Sequence, residues 1–105
     1  MSTGTLEKFI INPSINVSGI YYYSLLDLES GYIFQGESHS FYELNYVISG
    51  ELGLTCDNRL INLRENQVYV IPPDVFHKNW VINNEKVKLL VISFELDRKG
   101  NIPFS

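Results

Sequence analysis

The sequence predicts an all-β domain with little or no helix, built as a jelly roll or small closed barrel of about eight mostly antiparallel strands. Seven Tyr, six Phe and many Ile, Val and Leu residues favour strands. No segment has the apolar period of an amphipathic helix, and short β-rich runs alternate with turn signals instead. Because 105 residues is close to the usual size of one domain, we expect a single barrel.

Turn-forming residues divide the chain into the predicted strands. Residue types that accept tight or left-handed backbone occur as Ser-Gly at 49–50, Asp-Asn at 57–58, Glu-Asn at 65–66, Pro-Pro-Asp at 72–74 and Asn-Asn at 83–84. The strands predicted between them are residues 20–26, 32–35, 42–48, 51–55, 60–63, 68–71, 77–82 and 88–94. We expect the barrel at residues 19–96, preceded by an arm or edge strand at 1–18 that pairs with another subunit, and followed by a polar exit at 97–105.

Charge and cysteine content limit the possible partners and the compartment. No stretch concentrates Lys or Arg, and the formal net charge is −4, so we expect no direct contact with nucleic acid or an anionic membrane. The single cysteine, Cys56, excludes an internal disulfide and fits a reducing compartment. The N-terminus lacks the blocks of a signal peptide, and no apolar run approaches the ~18–20 residues of a membrane span. We therefore expect a soluble, cytoplasmic protein.

The two histidines of the chain, His39 and His77, are the strongest functional signal. Side chains alternate along a strand, so Glu37, His39, Glu43 and Asn45 share one face. If that face points into a barrel, its carboxylates must be compensated, because burying an unpaired charge costs several kcal/mol. A divalent cation, a protonated histidine between the glutamates, or a polar ligand with water would each compensate them.

The spacing of these residues resembles the two motifs of the cupin superfamily. The first motif is Gly, five residues, His, one, His, three, Glu, six, Gly, and here the same spacing joins Gly31, Glu37, His39, Glu43 and Gly50. The second motif is Gly, five residues, Pro, one, Gly, two, His, three, Asn, and here it joins Asn66, Pro72, Asp74, His77 and Val81. Asn66 and Asp74 replace glycines with the residues next most tolerant of positive φ, so we expect both turns to form.

Two longer stretches resemble one branch of the cupins, the sensor domain of AraC-type transcription regulators. They are residues 39–50 (HSFYELNYVISG) and 68–77 (VYVIPPDVFH), and the second carries the IPPxxxH pattern of such domains. The resemblance extends over residues 20–95 and implies a barrel that binds a small-molecule effector and forms a homodimer. Such domains are normally followed by a helical linker and a double helix-turn-helix DNA reader, which these residues do not contain. We expect contact with DNA only through such a reader.

The resemblance also implies a small polar ligand, sugar-like or an organic acid, bound inside the barrel. The predicted ligand-binding residues are Glu37, His39, Glu43, Asn45, His77, Tyr46 and Trp80. Strand alternation places Tyr46 on the face opposite Glu43, and it turns Trp80 outward where His77 points inward. This interpretation assigns no catalytic residue and expects no cofactor.

The alternative interpretation is a metal-dependent cupin enzyme of the oxygenase or isomerase type. Its metal ligands would be Glu37, His39, Glu43 and His77, which suit one divalent ion of Fe, Mn, Ni or Zn. The carboxylate of Glu37 at the first His position makes this site harder and more anionic. If no metal is bound, the four residues would be a polar cluster inherited from a cupin ancestor, which is either internally hydrogen-bonded or faces a ligand. A third interpretation is a purely structural or dimerisation barrel with a filled interior.

Overall fold

The computed structural model describes residues 16–97, and its secondary structure consists of eight strands without a helix in that part of the chain. The strands are β1 (Asn16–Leu28), β2 (Ile33–Glu37), β3 (Tyr42–Ser49), β4 (Leu52–Cys56), β5 (Arg59–Leu63), β6 (Val68–Ile71), β7 (His77–Val81) and β8 (Val87–Asp97). The predicted arm and polar exit lie mostly outside these residues. Within residues 16–97, no helix is long and apolar enough to cross a membrane.

The strands form two four-stranded antiparallel sheets. One has the order β1-β8-β3-β6 and the other the order β2-β7-β4-β5. Residues of both sheets, such as Val47 and Val91 of the first and Leu54 of the second, share one buried cluster, so the sheets pack face to face. The predicted all-β fold is confirmed as a jelly-roll sandwich, and the described strands form two separate sheets rather than one closed barrel.

Alternation along the strands separates an interior from an outer surface. On β3, Val47 points into the sandwich, whereas Leu44 and Tyr46 point away from it and belong to a second apolar cluster on the outer face of the first sheet. The interior cluster contains Leu28, Val47, Leu52, Leu54, Cys56, Leu63, Ile71, Val81, Val87, Leu89 and Val91.

Asn and Asp residues form the tight turns between strands. Asn58, Asn66, Asp74 and Asn83 all adopt positive φ, between 63° and 67°. Asn66 and Asp74 are the residues that stand at glycine positions of the second cupin motif, so the expectation that both turns form is confirmed. A short polar side chain accepts this backbone conformation at low cost, which explains why the turns survive without glycine.

Candidate functional site

A bulge at the end of β2 turns Glu37 into the sandwich. Phe34 pairs with Asn79 and Glu37 pairs with His77, so two residues of β2 between these pairs lie opposite a single residue of β7. Gly36, at φ 118°, absorbs the extra residue, and the Phe76 ring lies directly over the position that a Cβ would take. Bulges commonly re-aim a side chain in this way. The result is that Glu37 lies beside His77 on the inward face.

His39 lies in the short loop between β2 and β3, where Phe41 and Asp74 hold it. Its ring stacks on the Phe41 ring with centroids 4.1 Å apart and an interplanar angle of 3°. The backbone N–H of Asp74 donates to the carbonyl oxygen of His39 at 2.7 Å, which joins this loop to the turn before β7. The loop that carries His39 is therefore fixed to the turn that precedes His77.

Glu43 lies on the inward face of β3 and is almost completely buried. It pairs with Ser93 of β8 on one side and with Ile71 of β6 on the other. The Nδ2 of Asn45 donates to Glu43 Oε2 at 3.1 Å, which leaves Glu43 Oε1 free to face the histidines. Because Glu43 lies on an inner strand of the first sheet and its carboxylate accepts a hydrogen bond from Asn45, it is the most rigidly held acid of the site.

Both histidines are oriented by backbone carbonyl groups two residues away. His39 Nδ1 lies 3.0 Å from the oxygen of Phe41, and His77 Nδ1 lies 3.1 Å from the oxygen of Val75. A carbonyl oxygen only accepts, so each Nδ1 carries the hydrogen and donates it. In a neutral ring this leaves the Nε2 lone pair directed at the glutamates, the tautomer that binds metals.

Four ligand atoms, one from each side chain, converge at this end of the sandwich. His39 Nε2 lies 3.1 Å from Glu43 Oε1 and 3.7 Å from Glu37 Oε2, and His77 Nε2 lies 3.9 Å and 4.0 Å from the same two oxygens. All four atoms are within 4.8 Å of one another. The structure thus brings together the four predicted metal ligands, from β2, the loop after it, β3 and β7.

The four converging side chains require a cation. Ionised carboxylates are acceptors only, and the Nδ1–H bonds make both Nε2 atoms acceptors in neutral rings. Acceptors this close to one another need a positive charge between them, which either a proton on an imidazole or a metal ion supplies. His77 Nε2 is buried and has no hydrogen-bond partner among the described residues, so its lone pair is available to bind a cation.

The distances also fit a single transition-metal ion. Two atoms that are each about 2.1 Å from one ion lie roughly 3.0 to 4.2 Å apart, depending on the angle between them. The four His–Glu separations lie within this range, between 3.1 and 4.0 Å. The four ligand atoms as a set lie within 4.8 Å of one another, so binding one ion requires a small inward movement of a ligand. Glu37 is the most adjustable ligand, because 48% of its side-chain surface is exposed and it can rotate inward.

Further polar groups lie deeper between the sheets, beyond the four ligands. Asn45, Asn79 and Ser93, here called the inner polar residues, are all buried and lie on the inward faces of β3, β7 and β8. Asn45 Oδ1, Asn79 Oδ1 and Ser93 Oγ have no hydrogen-bond partner in the part of the chain that the structure describes. Buried polar atoms are normally satisfied by protein groups or by ordered water, so these three atoms are available for hydrogen bonds to water or to a polar molecule.

Two of the predicted ligand-binding residues do not join the cluster. Tyr46 is fully buried in the outer-face cluster, where its hydroxyl donates to Asn66 Oδ1 at 2.8 Å. Trp80 lies on the outer face of the second sheet, with its indole packed over Gly53 of β4. Strand alternation decides both placements, since each residue is an odd number of positions from an inward-facing neighbour.

Sequence reasoning did not assign three residues of the site: Phe41, Asn79 and Ser93. The alternation that turns His77 inward also turns Asn79 inward, and that signal was sufficient to include it. Ser93 is beside Glu43 only because β8 pairs with β3 in a particular register, which a single sequence does not reveal. Phe41 is next to a histidine in the loop, but its stacking requires the loop conformation.

Charge and burial shift the pKa of groups near the cluster. Burial, followed by the negative charges of Glu37 and Glu43, raises the pKa of Tyr32. Burial also raises the pKa of the Cys56 thiol, although a hydrogen bond with Tyr69 acts in the opposite direction. Cys56 pairs with His77 across β4 and β7 but is not one of the four converging ligands. It is a packed, neutral thiol.

We expect Cys56 to be unreactive in the folded chain. We also expect it to lower the free energy of unfolding as the pH becomes alkaline. Its ordinary pKa is 9.0 and folding raises it, so the folded state binds the proton more tightly than the unfolded state. The contribution of Cys56 to the free energy of unfolding is complete at pH values below its pKa in the unfolded state. This contribution is lost as the pH rises through its pKa in the folded state. Urea unfolding at pH 7.5 and 9.5 should show a smaller fall in the free energy of unfolding for Cys56→Ala than for wild type.

Thiol labelling provides the matching control for Cys56. A thiol reagent should modify native Cys56 on the order of 100-fold more slowly than urea-unfolded Cys56, because reaction must wait for opening of the fold. An exposed thiol at Ser49→Cys, in a Cys56→Ala background, should react at the unfolded rate. Rapid labelling of native wild-type protein would contradict the assignment of Cys56 as a packed core residue.

The sequence of this chain matches a family model, and its fold matches solved structures. A family model, the AraC-like ligand binding domain, matches residues 27–102. Similar solved structures include a cupin protein from Bacteroides fragilis (TM-score 0.65, 20% identity, 79% of this chain and 70% of that chain) and a cupin-2 domain protein from Shewanella frigidimarina (TM-score 0.59, 26% identity, 86% and 88%).

A longer protein shares the same fold over part of its length. The chain is similar to AerE from Microcystis aeruginosa, with a TM-score of 0.65 and 22% identity over 69% of this chain, and it spans only 34% of that protein. No curated protein matches the chain. These likenesses show the cupin fold, and the match over residues 27–102 shows that the chain belongs to the AraC-like ligand-binding domain family.

Proposed function

We propose that this chain is the effector-sensing domain of an AraC-type transcription regulator and that it binds a small, hydroxyl-rich ligand between its two sheets. The observation that carries the proposal is the set of inner polar residues, whose buried atoms lack partners within residues 16–97. A ligand that satisfies them is bound by the folded chain only. Binding therefore stabilises one arrangement of the domain, which is the basis of effector sensing.

The atoms available to the ligand favour hydrogen-bond donors. Asn45 gives its Nδ2 hydrogen to Glu43, so the Oδ1 that remains is an acceptor. Asn79 Oδ1 and the carboxylates of Glu37 and Glu43 are acceptors as well. Hydroxyl groups can donate to all of them, whereas the carboxylate group of an organic acid would bring a further negative charge and can only accept. Of the two ligand classes expected from the sequence, the geometry supports the sugar-like one.

A divalent transition metal fits the cluster and would complete this site. His39, His77, Glu37 and Glu43 would hold it, and a bound ion would supply a Lewis acid that attracts the oxygen atoms of the ligand. The same ligand set is the basis of the alternative, a metal-dependent oxygenase or isomerase. Family membership supports ligand binding over that alternative, because the matching domain is defined by ligand binding rather than by a reaction.

A panel of matched ligands tests the proposal. Sugars, alditols and the corresponding aldonic acids share a carbon skeleton and differ in one terminal group, so they separate hydroxyl recognition from carboxylate recognition. We expect an alditol or sugar to raise the melting temperature of chelator-treated protein and to bind at least about tenfold more tightly than its aldonate. If no member of the panel binds with or without metal, ligand sensing by this site is refuted.

Variants of the inner polar residues make the test specific. Asn79→Leu and Ser93→Ala remove a buried polar atom without a partner, so the ligand-free variants should be as stable as wild type or more stable. Their affinity for the sugar-like ligand should fall about tenfold for each lost hydrogen bond. Asn62→Leu, on the exposed part of β5, is the matched control and should leave affinity unchanged. Unchanged binding in the first two variants would place the ligand elsewhere.

A further inference from the structure

A groove, here called the outer groove, opens on the outer face of the second sheet, behind the strand that carries His77. Lys78 and Trp80 alternate along β7 with the buried residues His77 and Asn79, so their side chains point away from the interior of the sandwich. The outer groove has a volume of about 520 Å³, which is within the usual range for small-molecule pockets. The sheet separates it from the four converging ligands, so the two sites can be occupied independently.

The pairing of three strands gives the outer groove an apolar lining. Ile33 of β2 pairs with Trp80 on one side, and Gly53 of β4 pairs with it on the other. A Cβ at Gly53 would collide with the indole, so glycine leaves the space in which the half-buried ring of Trp80 is held. Ile33 is 63% exposed, and its side chain lines the groove together with the indole. One aromatic and one aliphatic side chain form suitable surroundings for a planar apolar ring.

Lys78 gives the outer groove a positive charge. It pairs with Thr55 of β4, and both residues line the groove. No Asp or Glu is among the described residues that line it, and Lys78 forms no ion pair within residues 16–97. The chain as a whole has a formal net charge of −4, so this lysine is a local exception to the sign of the protein. A cation beside an apolar cavity is complementary to a ligand that combines an apolar body with a carboxylate.

We propose that the outer groove binds an aromatic carboxylate, with the ring of the ligand between Trp80 and Ile33 and its carboxylate on the Lys78 ammonium group. Lys78 and Trp80 are two residues apart on one strand face, or about 6.6 Å. This distance is about the reach from the centre of a benzoate ring, through the carboxylate, to a hydrogen-bonded ammonium nitrogen. The ligand class differs from that of the site between the sheets, where acceptor atoms disfavour a carboxylate. The inference therefore does not rest on effector sensing.

Three small ligands test the recognition of ring and charge separately. Benzoate has both features, benzyl alcohol lacks the charge, and cyclohexanecarboxylate lacks the aromatic ring. We expect benzoate to bind with a dissociation constant of about 1 mM or below and each analogue to bind about fivefold more weakly. In NMR spectra, benzoate should shift the single indole N–H signal and show nuclear Overhauser effects to Trp80. An indole signal unchanged at about 10 mM benzoate, or equal affinity for all three ligands, would overturn the proposal.

Matched variants locate the carboxylate and the ring. Lys78→Gln should weaken benzoate binding about fivefold, whereas Lys88→Gln removes the same charge from β8 of the first sheet and should leave it unchanged. Trp80→Leu should weaken binding by a similar factor, and Trp80→Tyr, which keeps an aromatic side chain, should retain most of it. Ligand-observed NMR measures the affinity of every variant, and melting temperatures without ligand identify any loss of the fold. Wild-type affinity in folded Lys78→Gln or Trp80→Leu protein would refute the outer groove as the binding site.

Discussion

Replacing His77 by alanine is expected to lower the affinity of the chain for a divalent transition metal by at least about 100-fold. His77 is the only one of the four converging ligands from β7, and its buried Nε2 has no partner among the described residues. Without it, only three of the four converging ligands remain, and all three come from residues 37–43. Metal content of protein purified without chelator, and titration of chelator-treated protein with Fe(II), Mn(II), Ni(II) or Zn(II), would measure the loss.

Two comparisons make the His77 result interpretable. Glu51→Gln removes a carboxylate outside the cluster, so it should leave metal content unchanged. The melting temperature of chelator-treated His77→Ala, compared with chelator-treated wild type, separates loss of an ion from loss of the fold. A folded His77→Ala protein that retains one ion per chain with wild-type affinity would show that the cluster is not a metal centre.

The largest stability effect is expected from Gly50→Ala, with Gly31→Ala as its matched comparison. Both glycines belong to the first cupin motif and both have positive φ, near 90°. A Cβ at Gly31 would meet nothing within 4 Å, so alanine there should cost only the conformational strain of about 1–2 kcal/mol. A Cβ at Gly50 would collide with the backbone oxygen of Lys86 and lie 3.0 Å from Val87 Cα. Backbone atoms cannot rotate away, so the cost there should exceed about 3 kcal/mol.

Urea unfolding of the two glycine variants would measure this difference. Equal free energies of unfolding for Gly50→Ala and Gly31→Ala would show that the loop between β3 and β4 relaxes around the new methyl group. A larger loss at Gly50 alone would indicate that the motif glycine is required for the close approach of two chain segments. Circular dichroism of each variant at low temperature would confirm that the comparison is between folded proteins.

Strands and turns were predictable because local chemistry determines them. All eight predicted runs coincide with strands, and Asn58, Asn66 and Asn83 mark turns whose positive φ suits their side chains. The start of β1 was predicted too late, since Ser18 and Gly19 resemble a turn in sequence. In the structure they are part of a strand whose register shifts absorb the irregularity. Bulges of this kind depend on the neighbouring strand, β8, and local sequence does not specify them.

The site was predictable in its ligands and less so in its surroundings. Glu37 has the parity of His39 in sequence, yet it reaches the interior only because a bulge at Gly36 adds one residue to β2. The spacing of the cupin motif predicted the position of Glu37 but did not reveal the bulge that turns its side chain inward. Ser93 could not be assigned, because its place beside Glu43 depends on pairing between strands that are distant in sequence. Long-range register was the missing information.

The position of Trp80 over Gly53 has a practical consequence for spectroscopy. It is the only tryptophan of the chain, and it lies on the outer face of the second sheet, while the converging ligands lie on the inner face. Its fluorescence should therefore change strongly when the sheet unfolds and very little when a molecule binds between the sheets. An emission spectrum that stays constant during a titration would then be the normal signature of binding between the sheets, and calorimetry would be the method that detects it.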